Sequence, residues 1–363
     1  MNQEAYHKLI SGQNKSVVAS FLRLFLWLAA QGYTVVIALR NFLYSKKWLK
    51  THRANAVVIS IGNITAGGTG KTPLVIWLYK LLQQKNFQCA VLTRGYKATQ
   101  ETRLKTQDQI DEPGILAESC PQAKVIVNPD RIAGAAEAVN KFAAKVLIMD
   151  DGFQHRRLAR DLDIVTIDAT QPFGFGKLLP AGLLREPLRS LKRADAIVLT
   201  RCDQSTDSEL NQIENKLHLI NPDMVVAKSI HAPIYAKSTN NKKISLEELK
   251  NKKVFAFCGI GNPDAFLHTV KKLGVILVGS KVYNDHHSYC EEDVREIFEL
   301  ADKSNVDLVL TTHKDWTKID FLKILYSEDT KPIDYLEIEL KFISGEDKIT
   351  QLIQNALAGK IPS

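Results

Sequence analysis

The chain has 363 residues, of which 45% are hydrophobic, and it carries a formal net charge of +8. This length and apolar content predict two domains and exclude a disordered or fibrous protein. Five cysteines are scattered without a Cys-x-x-Cys pair, which argues against a disulfide framework or structural zinc site and favours a reducing cytosol. The positive charge is compatible with nucleic acid, an anionic membrane or a phosphorylated substrate as partner.

The first predicted element is an apolar helix at Val17–Tyr44. Its longest stretch without a charge, Leu24–Leu39, has 16 residues, fewer than the roughly 20 that span a bilayer. We therefore expect an anchor that lies in one membrane leaflet; a buried helix and a true transmembrane span are the alternatives. A cleaved signal peptide is not expected, because no small-residue cleavage site precedes the next strand. A basic collar, worth about 1 kcal/mol per residue on anionic lipid, follows: Lys46, Lys47, Lys50 and Arg53.

A glycine-rich turn comes next, and it restricts the possible ligands and reactions of this protein more than any other segment does. Residues 57–72 read VVISIGNITAGGTGKT, which predicts a buried strand, a turn and a helix start. Backbone N–H groups at such a helix start attract an anion, so we predict a nucleotide site with Lys71 on the phosphates and Thr72 on Mg²⁺. Thr65 replaces the usual P-loop glycine, and Gly67 and Gly68 are expected to take the positive φ angles instead. An ordinary tight turn is the alternative. The predicted nucleotide-binding residues are Thr65, Ala66, Gly67, Gly68, Thr69, Gly70, Lys71 and Thr72.

Beyond the turn, helical segments alternate with short apolar runs. This alternation is typical of an α/β fold with a mostly parallel sheet and helices on both faces, as in P-loop NTPases, whose ligands bind at the carboxyl ends of the strands. The predicted elements are helix Pro73–Gln84, strand Cys89–Thr93, helix Arg131–Phe142, and strands Val146–Met149, Ile164–Ile167 and Ala196–Thr200.

A more polar stretch at Asp203–Asn241 predicts a domain boundary, after which a smaller α/β unit begins. The expected domains are a membrane-associating helix region 1–50, a P-loop domain 51–228, and a domain 229–363 that contributes to the active-site cleft. The predicted elements of the last domain are strand Val254–Cys258, helix Asp264–Leu273, and strands Val275–Val278 and Asp307–Leu310.

Several acidic residues follow the predicted strands. Asp150 and Asp151 end an apolar strand and are the predicted Mg²⁺ partners beside Thr72, although Asp151 could instead cap the following turn. Asp111 lies where a base could accept the proton of an attacking hydroxyl, although by itself it is more typical of a helix cap. The run Thr200-Arg201-Cys202-Asp203 lacks the first two residues of the GTPase base-reading motif, so ATP is the predicted nucleotide.

In combination, these motifs resemble those of the tetraacyldisaccharide 4′-kinases, which phosphorylate the lipid A precursor in Gram-negative bacteria. The resemblance covers nearly the whole chain, including the apolar helix. The motifs that carry it are Asn63, Gly67-Gly68-Thr69-Gly70-Lys71-Thr72-Pro73, Thr93-Arg94-Gly95-Tyr96, Asp111-Glu112-Pro113, Asp150-Asp151-Gly152-Phe153-Gln154-His155, Leu179-Pro180-Ala181-Gly182, Leu184-Arg185-Glu186-Pro187 and Asp285-His286.

The resemblance implies roles for individual residues. Asp111 matches the proposed catalytic base, and His286 matches a histidine that supports the base from the second domain. Lys71 is the expected catalytic cation, and Thr72, Asp150 and Asp151 match residues beside the metal. The expected phosphate- or sugar-binding residues are Arg94, Arg131, Gln154, His155 and Arg185.

Three positions limit this transfer. Ile110 stands where a glycine is expected before the base, so the loop could have another shape. His313 replaces the acid of a Thr-Glu-Lys-Asp element at Thr311–Asp315, to which we assign no catalytic role. His287 is expected to be structural, because adjacent histidines rarely bind one ion.

The leading hypothesis is a kinase that uses ATP and Mg²⁺ to phosphorylate the 4′-hydroxyl of the lipid A disaccharide precursor, at the cytoplasmic face of the bacterial inner membrane. The alternative is a membrane-recruited nucleotide-switch protein without a metabolite substrate. A nucleic-acid partner is not expected, because the basic residues are not interleaved with aromatic ones.

Overall fold

The computed structural model describes residues 3–94, 114–238, 242–319 and 333–359. These residues form two compact units. The first unit comprises the described residues up to 94, those within 122–230 and those from 341 onward; the second comprises those within 114–121 and 231–340. Gly95, Tyr96 and the Ile110–Pro113 segment, which includes the predicted base Asp111, lie outside the described residues.

Two helices open the first unit, α1 at Gln3–Ile10 and α2 at Val17–Ser45. The side chain of Ser16 caps α2 by accepting a hydrogen bond from the N–H of Ala19 at 3.1 Å. α2 has 29 residues, and most of its large apolar side chains are exposed. Only 11% of its most apolar window is buried, so the alternative of a helix buried in the domain is wrong. By length and composition alone, α2 is long and apolar enough to cross a membrane.

A parallel sheet forms the centre of the first unit. Its strands are β1 Val57–Asn63, β2 Cys89–Thr93, β3 Lys124–Val127, β4 Val146–Asp150, β5 Leu162–Asp168, β6 Ala196–Thr200 and the first residues of β7 Val225–Ser238. The strand order is β7–β6–β5–β1–β4–β2–β3. Every residue of β1, β4, β5 and β6 is buried, which explains why these strands are nearly continuous apolar runs.

The strand register brings polar residues together at the carboxyl edge of this sheet. Ile61 of β1 pairs with Asp150 of β4, and Asn63 pairs with Thr166 of β5. Asp168 of β5 pairs in turn with Thr200 of β6. The candidate residues that end these strands therefore lie side by side, as expected for a ligand site in an open α/β sheet.

Three helices follow strands of this sheet: α3 at Lys71–Gln84, α4 at Arg131–Phe142 and α5 at Asp207–Ile220. The side chain of Asp130 caps α4 by accepting hydrogen bonds from two backbone N–H groups. Thr206 caps α5 in a capping box with Glu209. α4 has the predicted bounds, whereas α3 begins at Lys71, two residues before the predicted start, because it follows directly on the glycine-rich turn.

The second unit is also an α/β arrangement. Its further strands are β8 Lys243–Ser245, β9 Lys253–Cys258, β10 Ile276–Val282, β11 Leu308–Thr312 and β12 Ile333–Ser344. Its strand order is β10–β9–β11–β12–β7, with β8 antiparallel to β7. Its helices are α6 Leu246–Leu249, α7 Pro263–Lys272, α8 Glu291–Lys303 and α9 His313–Ile319, besides a short helix at 114–119.

The last helix, α10 at Glu346–Ala358, contacts β1 and β5 of the first unit. The sequence analysis groups this helix with the domain 229–363, whereas its apolar side chains Ile349, Ile353 and Leu357 are buried where it packs with the first unit. The predicted α/β fold is confirmed; the bounds of the expected domains stay a prediction.

Candidate active site

The carbonyl groups of the loop between β1 and α3 are largely engaged in hydrogen bonds with surrounding residues. Five of the loop carbonyl oxygens accept hydrogen bonds from surrounding groups of the first unit, and the longest of these joins Gly67 O to Asn63 Nδ2 at 3.4 Å. The other four bonds join Ile64 O to Arg185 N at 2.8 Å, Thr65 O to Asn63 Nδ2 at 2.7 Å, Gly68 O to Arg201 Nη1 at 2.9 Å, and Thr69 O to Thr200 Oγ1 at 3.0 Å. Thr69 Oγ1 also lies 2.7 Å from Thr166 Oγ1, so the loop is fixed from several sides.

Two glycines of this loop have positive φ angles, Gly67 at 107° and Gly70 at 81°. The expectation for Gly68 is wrong, because Gly70, the residue directly before α3, takes the second positive φ angle. Gly62 at the end of β1 is needed for another reason. A Cβ atom there would lie 2.6 Å from the backbone nitrogen of Phe153, so this glycine lets β1 approach the Asp150–His155 motif.

Lys71, Asp151 and Arg185 form an ionic group, the Lys71 cluster. Lys71 Nζ lies 3.5 Å from Asp151 Oδ1, and Arg185 Nη1 donates to both carboxylate oxygens at 3.0 and 3.1 Å. Burial alone would raise the pKa of Asp151, but the charges of Lys71 and Arg185 outweigh burial and hold that pKa below its usual value. Two cations therefore surround one ionised carboxylate at the start of α3.

Asp150 is the last residue of β4, and its side chain is buried. Its backbone carbonyl accepts a hydrogen bond at 3.0 Å from Arg131, which is itself buried at the start of α4. Within the described residues, no group of three or more His, Cys, Asp or Glu side chains could hold a metal ion. A magnesium ion at Thr72, Asp150 and Asp151 would therefore need phosphate or water ligands as well, which is its usual preference.

Three buried polar atoms near the glycine-rich loop have no hydrogen-bond partner within the part of the chain that the structure describes: Asn63 Oδ1, Gln154 Oε1 and His155 Nδ1. Gln154 is oriented by its amide nitrogen, which donates to Asn63 O at 2.9 Å. Burial and the nearby charge of Arg131 lower the pKa of His155, which keeps its imidazole neutral near pH 7. These polar atoms could bind a ligand. Arg94, by contrast, is exposed at the end of β2.

His286 lies in the second unit, after β10, with a φ angle of 60°. Its backbone N–H donates to Gly259 O at 3.2 Å, and its ring Nε2 lies 3.3 Å from Lys314 Nζ. Lys314 Nζ is also 3.6 Å from Asp285 Oδ1. Asp315 is fully buried, and burial raises the pKa of its carboxyl although Thr312 and the Gly259 N–H donate to it. Lys314 of the Thr311–Asp315 element thus contacts His286, and Asp315 bonds to the same Gly259 backbone that His286 does, a neighbourhood that the sequence analysis does not foresee.

His313 lies between two carboxylates of the second unit, an arrangement that we call the His313 cluster. Its Nε2 is 2.8 Å from Glu118 Oε2, its Nδ1 is 2.9 Å from Glu337 Oε2, and its ring stacks on Tyr335 at 4.5 Å. Burial would lower the pKa of His313, but the hydrogen bonds from its ring to Glu118 and Glu337 raise it to about 9. His313 is therefore a buried cation. His287 is likewise bonded within the unit, to Asp293 at 2.8 Å, and stacks on Tyr283.

The sequence analysis misses the residues that hold the glycine-rich loop. Thr166 and Thr200 bond to the loop through their hydroxyl groups, and Arg201 bonds both to Gly68 O and to Asp168. Their only sequence signal is a polar residue at the carboxyl end of an apolar strand. Arg201 belongs to the motif that we compare with the GTPase base-reading element, and here it contacts the loop backbone.

The chain matches a family model described as tetraacyldisaccharide-1-P 4′-kinase (LpxK) over residues 22–358. It is 36% identical over 358 residues to a tetraacyldisaccharide 4′-kinase of Halothermothrix orenii, covering 92% of this chain and 93% of that protein. It is 37% identical over 312 residues to one of Elusimicrobium minutum, covering 82% of each.

Among solved structures, the chain is similar to the LpxK of Aquifex aeolicus, which was crystallised in complex with ATP. The TM-score is 0.69 at 29% identity, and the match covers 93% of this chain and 99% of that one.

Proposed function

The chain belongs to the tetraacyldisaccharide-1-P 4′-kinase family, and from this membership we propose how its own residues carry out the reaction. The protein is an ATP-dependent kinase of lipid A biosynthesis, with ATP and Mg²⁺ as cofactors. It transfers the γ-phosphate of ATP to the 4′-hydroxyl of tetraacyldisaccharide 1-phosphate and gives the 1,4′-bisphosphorylated lipid. The nucleotide-switch alternative is not favoured by this membership.

The proposed nucleotide site rests on one observation: carbonyl groups of the loop between β1 and α3 accept hydrogen bonds from the surrounding residues. Because the carbonyls of Ile64, Thr65, Gly68 and Thr69 are engaged by other residues, we expect the N–H groups at the start of α3 to face the phosphate oxygens. We therefore assign residues Thr65–Thr72 to the nucleotide phosphates. Preorganised N–H groups lose little free energy to reorganisation when charge develops on the transferred phosphoryl group.

Lys71 and Arg185 supply the positive charge of this site. Asp151 contacts both cations and orients them, and it offsets only one of the two charges. The surplus positive charge favours the β- and γ-phosphates, and the planar guanidinium of Arg185 suits bidentate phosphate binding.

Thr72, Asp150 and Asp151 would hold the magnesium ion. The fit rests on the donor set, since a hydroxyl and two carboxylates are oxygen ligands and the missing ligands can come from phosphate and water. When bound, Mg²⁺ offsets negative charge that develops on the β- and γ-phosphate oxygens.

The acceptor hydroxyl needs a base. We assign this role to Asp111 on the sequence resemblance alone: as the new O–P bond forms and the bond from phosphorus to the β-phosphate oxygen breaks, Asp111 takes the hydroxyl proton. His286 supports the base, and the residues that bind the disaccharide or its phosphate are Arg94, Arg131, Gln154, His155 and Arg185. The buried Oε1 of Gln154 and the neutral imidazole of His155 support this assignment.

The enzyme rests on the cytoplasmic face of the inner membrane through α2. In support, the exposed face of this helix is apolar, with Phe21, Phe25 and Val35 each more than 60% exposed, and the basic collar at 46–53 follows it. Such a helix lies in or across the lipid and brings the active site to an acylated substrate.

The test is phosphate transfer from γ-labelled ATP with Mg²⁺, in detergent, to tetraacyldisaccharide 1-phosphate. We expect a labelled bisphosphorylated lipid with the wild-type protein. Asp111→Ala should lower turnover far more than ATP affinity, and equal losses in both would contradict the base assignment. ATP hydrolysis without labelled lipid would instead support the nucleotide switch.

A further inference from the structure

The outward face of α2 is largely apolar, whereas its inward face includes polar side chains among buried apolar ones. Buried or half-buried residues recur every three or four positions, at Ala30, Tyr33, Ile37, Asn41 and Tyr44. Large apolar side chains are exposed on the rest of the helix surface, among them Phe21, Leu24, Phe25, Leu28, Val35, Val36 and Leu39. These polar groups are turned toward the rest of the first unit, so each of them needs a hydrogen-bond partner there.

The partners of Tyr33, Arg40 and Asn41 are the dipeptide Arg185-Glu186. The hydroxyl of Tyr33 donates to the backbone carbonyl of Arg185 at 2.9 Å. Burial raises the pKa of Tyr33, so its hydroxyl stays protonated as the donor. Asn41 Nδ2 and Arg40 Nη2 bond to the Glu186 carboxylate at 2.8 and 3.2 Å.

Glu186 is the residue that makes the contact between α2 and the Arg185-Glu186 dipeptide sensitive to the loss of a partner. Its side chain is 0% exposed, and Arg193 donates to both of its oxygens at 3.1 and 3.2 Å. A buried carboxylate needs every one of its partners, because an uncompensated buried charge is strongly destabilising. The partners from α2 therefore dock this helix at one position on the first unit.

Arg185 is joined to the phosphate site at two further points. Its backbone N–H donates to Ile64 O of the glycine-rich loop at 2.8 Å. Its guanidinium binds Asp151, which contacts Lys71. One residue thus has its N–H on the loop, its side chain in the Lys71 cluster and its carbonyl on α2.

We propose that Tyr33 is a positioning residue for Arg185, and that α2 thereby forms part of the wall of the active site as well as the membrane-facing surface. Arg40 and Asn41 fix the same segment through Glu186. The inference rests on the proposed function, in which Arg185 contacts phosphate. A guanidinium displaced by a fraction of its hydrogen-bond length loses much of its catalytic effect.

The experiment uses the full-length kinase with ATP, Mg²⁺ and tetraacyldisaccharide 1-phosphate. Tyr33→Phe keeps the ring and removes only the donor, and we expect it to lower kcat about fivefold, as the loss of one net hydrogen bond implies. Its KM for ATP and its co-sedimentation with anionic phospholipid vesicles should stay at wild-type values, and its thermal midpoint should fall by no more than about 4 °C. Tyr44→Phe on the same helix, where the ring packs on Arg156, is the matched control.

A double-mutant cycle separates positioning from general structure. In the Arg185→Ala background no guanidinium remains to be positioned, so Tyr33→Phe should cause no further loss of kcat. Losses that multiply, or a Tyr33→Phe variant equal to Tyr44→Phe, would overturn this inference while the proposed function stands. A wild-type protein that transfers no phosphate would overturn the proposed function and this inference with it.

Discussion

The Lys71 cluster and the His313 cluster are both groups of charges that contact one another, yet their compositions are opposite. The first places two cations around one carboxylate whose side chain is 37% exposed. The second places two carboxylates around one imidazole whose side chain is 9% exposed. A surplus of positive charge can bind phosphate, whereas an imidazolium with both ring nitrogens bonded to carboxylates has no N–H donor left for a ligand. Charge balance, more than ion pairing itself, separates a binding site from a structural one.

The sharpest test of this contrast is removal of the cation in the Lys71 cluster. Lys71→Ala should lower kcat/KM for lipid phosphorylation about 1,000-fold, because a preorganised charge at the developing phosphoryl oxygens is lost. Lys80→Ala, an exposed lysine on the same helix, should keep wild-type activity. A loss below tenfold in Lys71→Ala would show that the cluster does not act on phosphate.

In the His313 cluster, the same kind of truncation should act on stability. His313→Ala leaves Glu118 and Glu337 without their shared partner, and the free energy of unfolding in urea should fall by about 3 kcal/mol. Lys303→Ala removes an exposed ion pair with Glu299 and should change it by less than about 0.5 kcal/mol. Equal effects of the two substitutions would remove the distinction between the clusters.

A substitution that keeps the charge tests the geometry of the Lys71 cluster. Arg185→Lys retains a cation but loses the contact with both oxygens of Asp151, and we expect kcat to fall about tenfold. Steady-state kinetics at saturating ATP would measure this change. Unchanged kcat would mean that charge alone, without the planar guanidinium, is sufficient.

The most gradual effect, and the smallest per step of the experiment, is a pH dependence of stability from His313. Its pKa is raised in the folded protein, so its stabilising contribution is complete below about pH 6.5, the unfolded value, declines as the pH rises, and is lost above about 9. Urea unfolding from pH 6 to 10 should show a decline of at most about 1.4 kcal/mol per pH unit from this group. His313→Gln should lack this component. A wild-type slope equal to that of the variant would contradict a protonated His313.

Much of the first unit could be predicted because its signals are local. The apolar runs at Val57, Val146 and Ala196 are strands in the structure, and helix Arg131–Phe142 has the expected bounds. β7 and β12 were not predicted, since only part of each is buried and their sequences mix polar with apolar residues. Their strand conformation depends on neighbouring strands that are distant in sequence.

The candidate site likewise has a part that the sequence predicts and a part that it does not. Gly70-Lys71-Thr72 and Asp150-Asp151 could be recognised because backbone conformation and metal chemistry demand those residue types at that spacing. The contacts of Arg201 with the loop, of Tyr33 with Arg185 and of His313 with Glu118 could not be predicted. Each joins residues more than 100 positions apart, and nothing in the local sequence of either partner specifies the other.

The sequence by itself therefore determined the α/β class, the phosphate-binding turn and the apolar helix, because each depends on residues that are close in the chain, and it determined the kinase family through a set of short motifs, each of which is local. Only the tertiary structure decided which charges meet, which of them are buried, and that Tyr33 of α2 bonds to Arg185. Packing sets the distances and the solvent exposure, and these two quantities decide whether a charged side chain binds a ligand or stabilises the fold.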